Sequence, residues 1–307
     1  MEKPDFPEVI DSTIRKALKG CYMRGYYGYF MHLKPKGKSI HLHFGGALAR
    51  AVEVFRKSYY GSQQLPVDKA YAAGLTALLE FWGDDDDSIS DHATKNLQSC
   101  VLAYDDFFRE YSPTEHPIRP LMVKGEPAVE FSFAVPIPDL IHPQTGHPIL
   151  YAGKFDMLAR YNDSIYVNDE KTAGSLSSQW ANSFQLASQF TGYCWGAKQF
   201  GHNVQGIIVR GIQPLKNPPF IKHQLLIEQR PQWMIDRWLI QLKRDIKQAI
   251  YFWENDIEDY ALDEACAAYG GCPYLTLCTS PNPKPWIATH YEVRPWSPLT
   301  GEAETVE

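Results

Sequence analysis

No stretch of the 307-residue chain holds the roughly 18–20 consecutive apolar residues needed to cross a bilayer. Its opening Met-Glu-Lys-Pro-Asp-Phe-Pro also lacks the apolar segment of a secretory leader. We therefore expect a soluble, intracellular, cytoplasmic protein without a membrane partner. Internal repeats and low-complexity tracts are absent, which excludes solenoids and repeat arrays. There is no phosphate-binding G-x-x-x-x-G-K-[ST], so nucleotide-driven motors built on that loop are excluded as well. A net charge of −6 denies the whole protein a basic footprint for nucleic acid. Acidic residues are nevertheless missing from one stretch: Ser12 to Val52 holds eight Lys or Arg and no Asp or Glu. That stretch includes Arg24, Lys34 and Lys36 and is rich in aromatics: Tyr22, Tyr26, Tyr27, Tyr29 and Phe30. Two readings stay open: a surface that meets phosphates and stacks on bases, or a solvated basic face over aromatics that pack inward.

What is present describes a globular chain, with 44% hydrophobic and 21% charged residues. Phe44 to Tyr60 reads as a helix carrying Leu48, Val52 and Phe55 on one face. Residues 66–111 read as helical again, broken at Gly83 by Asp84 to Asp87, a solvated acidic loop. From Ala128 the period changes to strand-like alternation through Val135. Ile149 to Tyr161 and Ile165 to Lys171 flank Asn162-Asp163-Ser164, whose chemistry suits a hairpin turn. A helix over Ser178 to Phe200, a strand over Val204 to Ile212 and its partner over Phe220 to Glu228 follow. Pro231 to Asp259 is the longest helical stretch, with Trp233, Trp238, Leu242, Ile246 and Ile250 directed to a core. Thr300 to Glu307 has no aromatic anchor and reads as a disordered tail. The order is that of a mixed α/β core.

The chemistry concentrates in Gly153-Lys154-Phe155-Asp156 and Val167-Asn168-Asp169-Glu170-Lys171-Thr172. Alternate side chains of a strand share a face, so Asp169 and Lys171 point one way and Glu170 the other. A turn at Asn162 to Ser164 brings Asp156 on the neighbouring strand within reach of the same spot. Two carboxylates there can hold a hard divalent cation such as Mg2+. Such an ion polarises a phosphoryl oxygen, and the lysine orients water or neutralises developing charge. An ordinary surface hairpin with an exposed salt bridge is the plainer reading of the triplet alone.

The combination resembles the PD-(D/E)XK nuclease superfamily, in the branch that contains the RecB nuclease domain. There a G-x-x-D strand, a turn and a D-x-K strand precede a helix bearing Q-x-x-x-Y, matched by Asp156, Asp169, Lys171, Gln189 and Tyr193. The resemblance implies a restriction-endonuclease-like core, a central mixed sheet flanked by helices. It further implies Asp156 and Asp169 as Mg2+ or Mn2+ ligands, Lys171 assisting the attacking water, and Gln189 and Tyr193 shaping the site. Gln185, one turn earlier, joins Arg24, Lys34 and Lys36 as an expected DNA contact. The family pattern F-G-x-A-x-H-x-x-x-E places a histidine where this chain has Ala49, so Glu53 is the expected substitute ligand, with His41 and His43 less well placed. Glu130, on the strand before the hairpin, is a further candidate.

Cys266, Cys272 and Cys278 are equally spaced near the C-terminus, and three thiolates need a fourth to close a site. Cys21 is the natural candidate, and its Gly-Cys-Tyr-Met-Arg-Gly-Tyr-Tyr setting resembles iron–sulfur nucleases such as AddB, exonuclease V and the CRISPR adaptation nuclease. The resemblance implies a 4Fe-4S cluster that staples the beginning of the chain to its end, with Zn2+ as the competing occupant. Cys100 and Cys194 read as packed thiols. The expectation is one nuclease domain over residues 1–290, with a core at about 44–230, a helical insertion at about 62–127 and a tail at 291–307. Its activity would be that of a metal-dependent DNA nuclease, an exonuclease, acting on single strands or free ends in recombination, repair or phage DNA processing, with a recombination or replication protein as partner. The alternative is a DNA-binding adaptor that keeps the fold and has lost turnover.

Overall fold

The computed structural model describes residues 3–37, 39–83, 92–262, 264–267, 271–299 and 302–303. The acidic run Asp84–Asp87 and, save 302–303, the residues from Thr300 lie outside the described residues, whereas the first residues of the expected 291–307 tail, Tyr291–Val293, form a strand antiparallel to Leu33–Pro35. By internal contacts the chain divides into two compact units, each discontinuous in sequence. One comprises Met1–Lys36, Ser132–Lys154 and Gln232–Glu307; the other comprises Gly37–Phe131 and Phe155–Pro231. None of the described helices is long and apolar enough to cross a membrane.

The second unit holds three successive helices, α1 (Ile40–Tyr60), α2 (Val67–Trp82) and α3 (Leu97–Glu110). In α1 Phe44, Ala47, Leu48, Ala51, Val52 and Phe55 recur at helical spacing and are buried. The first five pack with Leu78 and Trp82 of α2 and with Cys100, Ala103, Tyr104 and Phe107 of α3, and the Phe55 ring meets Phe108 of α3. Gly74 allows the close approach: a Cβ there would stand 2.0 Å from the Tyr104 hydroxyl and 2.6 Å from the Ala51 carbonyl oxygen. Gly83 ends α2 at a φ of +72°, which glycine adopts without strain.

The sheet of this unit is mixed, as expected. Strand β1 (Pro148–Tyr161), which enters the unit at Phe155, runs antiparallel to β2 (Ser164–Thr172), paired from Tyr161↔Ser164 to Met157↔Asn168. Asn162 and Asp163 turn the chain with φ of +46° and +61°, the left-handed pair of a two-residue hairpin loop, which these residue types tolerate. From β2 the chain crosses through α4 (Ser188–Gln199) to β3 (Val204–Pro214), parallel to β2, and returns antiparallel as β4 (Ile221–Gln229). Strand β3 is buried along nearly its whole length, which accounts for its run of apolar residues.

The single helix expected over Ser178 to Phe200 is two pieces, Ser178–Asn182 and α4. Arg230 explains the break: its guanidinium is almost fully buried and donates to the Phe184 carbonyl oxygen and, at 3.2 Å, to Thr191 Oγ1. The same carbonyl accepts from the Ala187 amide at 3.3 Å, a three-residue turn bond in place of the four-residue bond of a helical ladder.

In the first unit, Ser12–Gly20 is a helix capped by Asp11, whose Oδ1 accepts from the Ile14 amide at 2.7 Å. Arg15 of that helix makes a buried ion pair with Asp245 of the long helix Gln232–Glu254. Trp238, Leu242 and Ile246 of the long helix are buried as expected, whereas Trp233 is 55% exposed, under Arg237. Tyr22, Tyr27 and Phe30 are buried, and Tyr22 and Phe30 meet edge to face. Inward packing is therefore what these three rings do, and base stacking by them is excluded.

Candidate active site

Beyond Met157↔Asn168 the β1–β2 ladder stops, so Asp156, next along β1, is not paired with β2 through its backbone. Its Oδ2 accepts a hydrogen bond from the Glu170 amide at 2.6 Å. Asp169 is buried at 2% exposure, and Lys171 Nζ forms an ion pair with its Oδ1. The Lys171 ammonium also lies 5.7 Å from the Phe190 ring of α4. Asp156, Asp169 and Lys171 thus form one charged cluster at the splayed end of the hairpin.

The other face of β2 carries a second cluster. Glu170 accepts from Arg56 of α1 through both guanidinium nitrogens, at 2.9 and 2.6 Å, and lies 3.6 Å from Arg210 of β3. Asn168, two residues earlier on the same face, donates to Glu170 at 2.7 Å. The alternation read from the sequence therefore holds, and the outward-looking glutamate is buried between two arginines rather than left in solvent.

The electrostatics separate the carboxylates. Burial would lift the Glu170 carboxyl, but Arg56, followed by Arg210, holds it down at about 2. Asp156 moves the other way: burial, then the charges of Asp169 and Glu170, push it well above the usual carboxylate range, only partly offset by Lys171. Asp169 is also raised, by burial, against the pull of Lys171. Burial disfavours the Lys171 ammonium, yet Asp169 and Asp156 outweigh it and hold the group above its ordinary value. Two buried carboxylates against one lysine leave an excess negative charge. A proton can satisfy it, and so can a hard divalent cation with oxygen preference.

The other expected residues fall into two groups. Gln189 donates to the Tyr193 hydroxyl at 2.8 Å, and Tyr193 packs on Phe155 beside Asp156. Gln185 is exposed and precedes α4, so it does not lie on that helix's face. Glu53 accepts from Arg50 at 2.9 Å and from Lys57 at 2.5 Å. Burial opposes its charge, but those two cations keep the carboxyl below its ordinary value. Glu130 is half-buried on the strand Val129–Ile141 at a left-handed φ of +54°. Ala49, in place of the expected histidine, is exposed.

In the first unit, Lys34 lies over the Tyr29 ring at 4.3 Å, Lys36 donates to the Thr289 carbonyl oxygen at 3.0 Å, and Arg24 is exposed. The four expected cysteines share one neighbourhood there: burial, then Cys272, Cys21 and Cys266, push the Cys278 thiol up to about 11. The donor set suits a thiolate-bound metal centre. Among the described residues, however, no three His, Cys, Asp or Glu side chains are arranged to hold a metal ion, neither here nor around Asp156. Cys100 and Cys194 are packed thiols, both pushed up to about 12 by burial.

Arg56 and Arg210 were not singled out from the sequence. The signal was there: Arg56 extends the 44, 48, 52 spacing of a buried helix face, and Arg210 interrupts the apolar Ile-Ile-Val of a central strand. A charge at either place requires a buried partner.

A model of the PD-(D/E)XK nuclease superfamily matches residues 13–279. No curated protein matches the chain. Among solved structures, a "Putative exonuclease" from Eubacterium rectale is similar at 12% identity and a TM-score of 0.46, over 85% of this chain and 88% of that one. SSO0001 is similar at 13% identity and a TM-score of 0.29, over 78% and 84%. Likeness of that degree assigns neither activity nor substrate.

Proposed function

Because the chain belongs to the PD-(D/E)XK nuclease superfamily, we propose that it is a Mg2+- or Mn2+-dependent deoxyribonuclease that hydrolyses phosphodiester bonds, an exonuclease in DNA recombination, repair or phage DNA processing. One observation carries the reading: Asp156 and Asp169 are buried together with Lys171, and with both ionised they carry more negative charge than that one cation neutralises. Asp156 and Asp169 would hold the ion, with Glu53 and Glu130 as further candidates. When bound, a divalent cation supplies Lewis acidity toward a phosphoryl oxygen and lowers the pKa of water. Lys171 keeps its proton, so it orients the attacking water and offsets charge developing on the phosphate instead of acting as a base. Gln189 and Tyr193, bonded to each other, shape the wall beside Asp156.

Cys21, Cys266, Cys272 and Cys278 are proposed to hold a 4Fe-4S cluster, with Zn2+ as the alternative, on the strength of their shared neighbourhood. Such a centre would act as a staple within the first unit. Anaerobic purification followed by iron, sulfide and zinc analysis of the wild type and Cys278→Ser decides between cluster, zinc and neither.

The adaptor reading is favoured by one observation: Ala49 stands in place of the histidine, and Glu53 is already engaged by Arg50 and Lys57. Linear and closed circular DNA incubated with Mg2+, with Mn2+ and with chelator separate the readings. Metal-dependent loss of linear DNA alone supports an exonuclease, nicking of circles supports an endonuclease, and binding without cleavage supports the adaptor.

A further inference from the structure

We infer that Arg56 and Arg210, acting through Glu170, are positioning residues for the Asp156 carboxylate. The inference rests on the proposed reading of Asp156 and Asp169 as divalent-cation ligands, and names what holds one of them in place.

Past Met157↔Asn168 no β1 backbone group pairs with β2, so the Glu170 amide is free to turn to the Asp156 side chain, 2.6 Å away. A hydrogen bond from a peptide N–H orients a carboxylate only as well as that peptide is itself oriented. On the β3 side Glu170 is registered against Arg210 in a parallel ladder. Its side chain is gripped by Arg56 through two bonds of 2.9 and 2.6 Å, approached by Arg210 at 3.6 Å, and capped by Asn168 at 2.7 Å. All three charged side chains are nearly excluded from water, at 5%, 4% and 8% exposure. The peptide that holds Asp156 is thus tied to α1 and to β3 at once, through a planar fork that a lysine cannot reproduce.

A purely architectural ion cluster would show the same contacts, so the test needs a matched control. Arg15 provides one: it grips Asp245 through Nε at 3.1 Å and Nη2 at 2.9 Å, equally buried, in the other unit. Mn2+ affinity is measured on the full chain by calorimetry or electron paramagnetic resonance for wild type, Arg56→Lys and Arg15→Lys, with denaturation midpoints taken in parallel. Both substitutions keep the charge and lose the fork. Arg56→Lys is expected to weaken Mn2+ binding about 10-fold, the lower end of the cost of losing an outer partner of a metal ligand, because Arg56 acts on Asp156 through the Glu170 peptide. Arg15→Lys is expected to lower stability comparably and leave Mn2+ affinity unchanged. Equal affinity in wild type and Arg56→Lys, or equal losses in both variants, would overturn the inference. Should Arg56→Lys fail to fold, Arg210→Lys decides: weaker Mn2+ binding in the folded variant supports the inference and unchanged binding overturns it. Wild-type protein that binds no Mn2+ overturns the metal reading itself, and this inference with it, an outcome distinct from the others.

Discussion

Replacing Glu170 by Gln removes one charge from a buried triad and leaves two guanidinium groups facing each other. The cost follows from the structure by two routes. A carboxyl held at about 2 against an ordinary 4.5 contributes about 3 kcal/mol, at about 1.4 kcal/mol per pH unit. Removing one partner of a buried ion pair independently costs roughly 3–5 kcal/mol. Because the folded-state value lies below the unfolded one, this stability is complete above pH 4.5 and is lost as pH falls toward 2. Urea unfolding at pH 7 should therefore show Glu170→Gln less stable by about 3 kcal/mol, and the gap to wild type should close on acidification through pH 4 and 3. The difference between the proteins is the quantity to follow, since Asp156 and Asp169, with raised values, give both an opposite slope. A gap below about 1 kcal/mol at pH 7, or one that persists unchanged at pH 3, would mean that Arg56 and Arg210 do not hold Glu170 ionised in the folded protein.

Two further outcomes are expected. Gly74→Ala gains about 1 kcal/mol of helix propensity but drives a methyl into the Tyr104 hydroxyl and the Ala51 carbonyl, so thermal unfolding should show a net loss of about 1–3 kcal/mol. Gly74→Ala combined with Tyr104→Phe should recover only part, because the Ala51 oxygen stays; full recovery would show that the backbones separate freely. Protons compete with a cation at Asp156 and Asp169, so Mn2+ affinity should fall as pH drops through the raised carboxylate range and level off above it. Calorimetry across that range giving flat affinity would contradict the placement of the ion, as would unimpaired binding by Asp156→Asn.

Much of the second unit was legible because its signals are local. The Asn162-Asp163 turn, the alternation of Asp169 and Lys171 against Glu170, and the Gly83 stop each depend on a few adjacent residues and appear as read. What escaped depends on partners distant in sequence. Arg230 breaks the helix at Phe184 from 46 positions away, and Arg56 and Arg210 meet Glu170 only after the sheet has formed. The same holds for the aromatic stretch: composition allowed Tyr22, Tyr27 and Phe30 to face solvent or core, and packing against Phe252 and Tyr274 decided for the core. Trp233 went the other way because periodicity marks a helix face without saying how far along the helix its cover extends.

We propose Asp156, Asp169 and Lys171 as the hydrolytic centre. End-labelled DNA incubated with wild type and Lys171→Ala, in Mg2+, in Mn2+ and in chelator, tests it most directly. Wild type should cleave in either metal and not in chelator, and the variant should be about 10²–10³-fold slower, the scale of losing one preorganised electrostatic partner. Cleavage that Lys171→Ala leaves intact, or firm DNA binding by wild type with no cleavage in either metal, would contradict it.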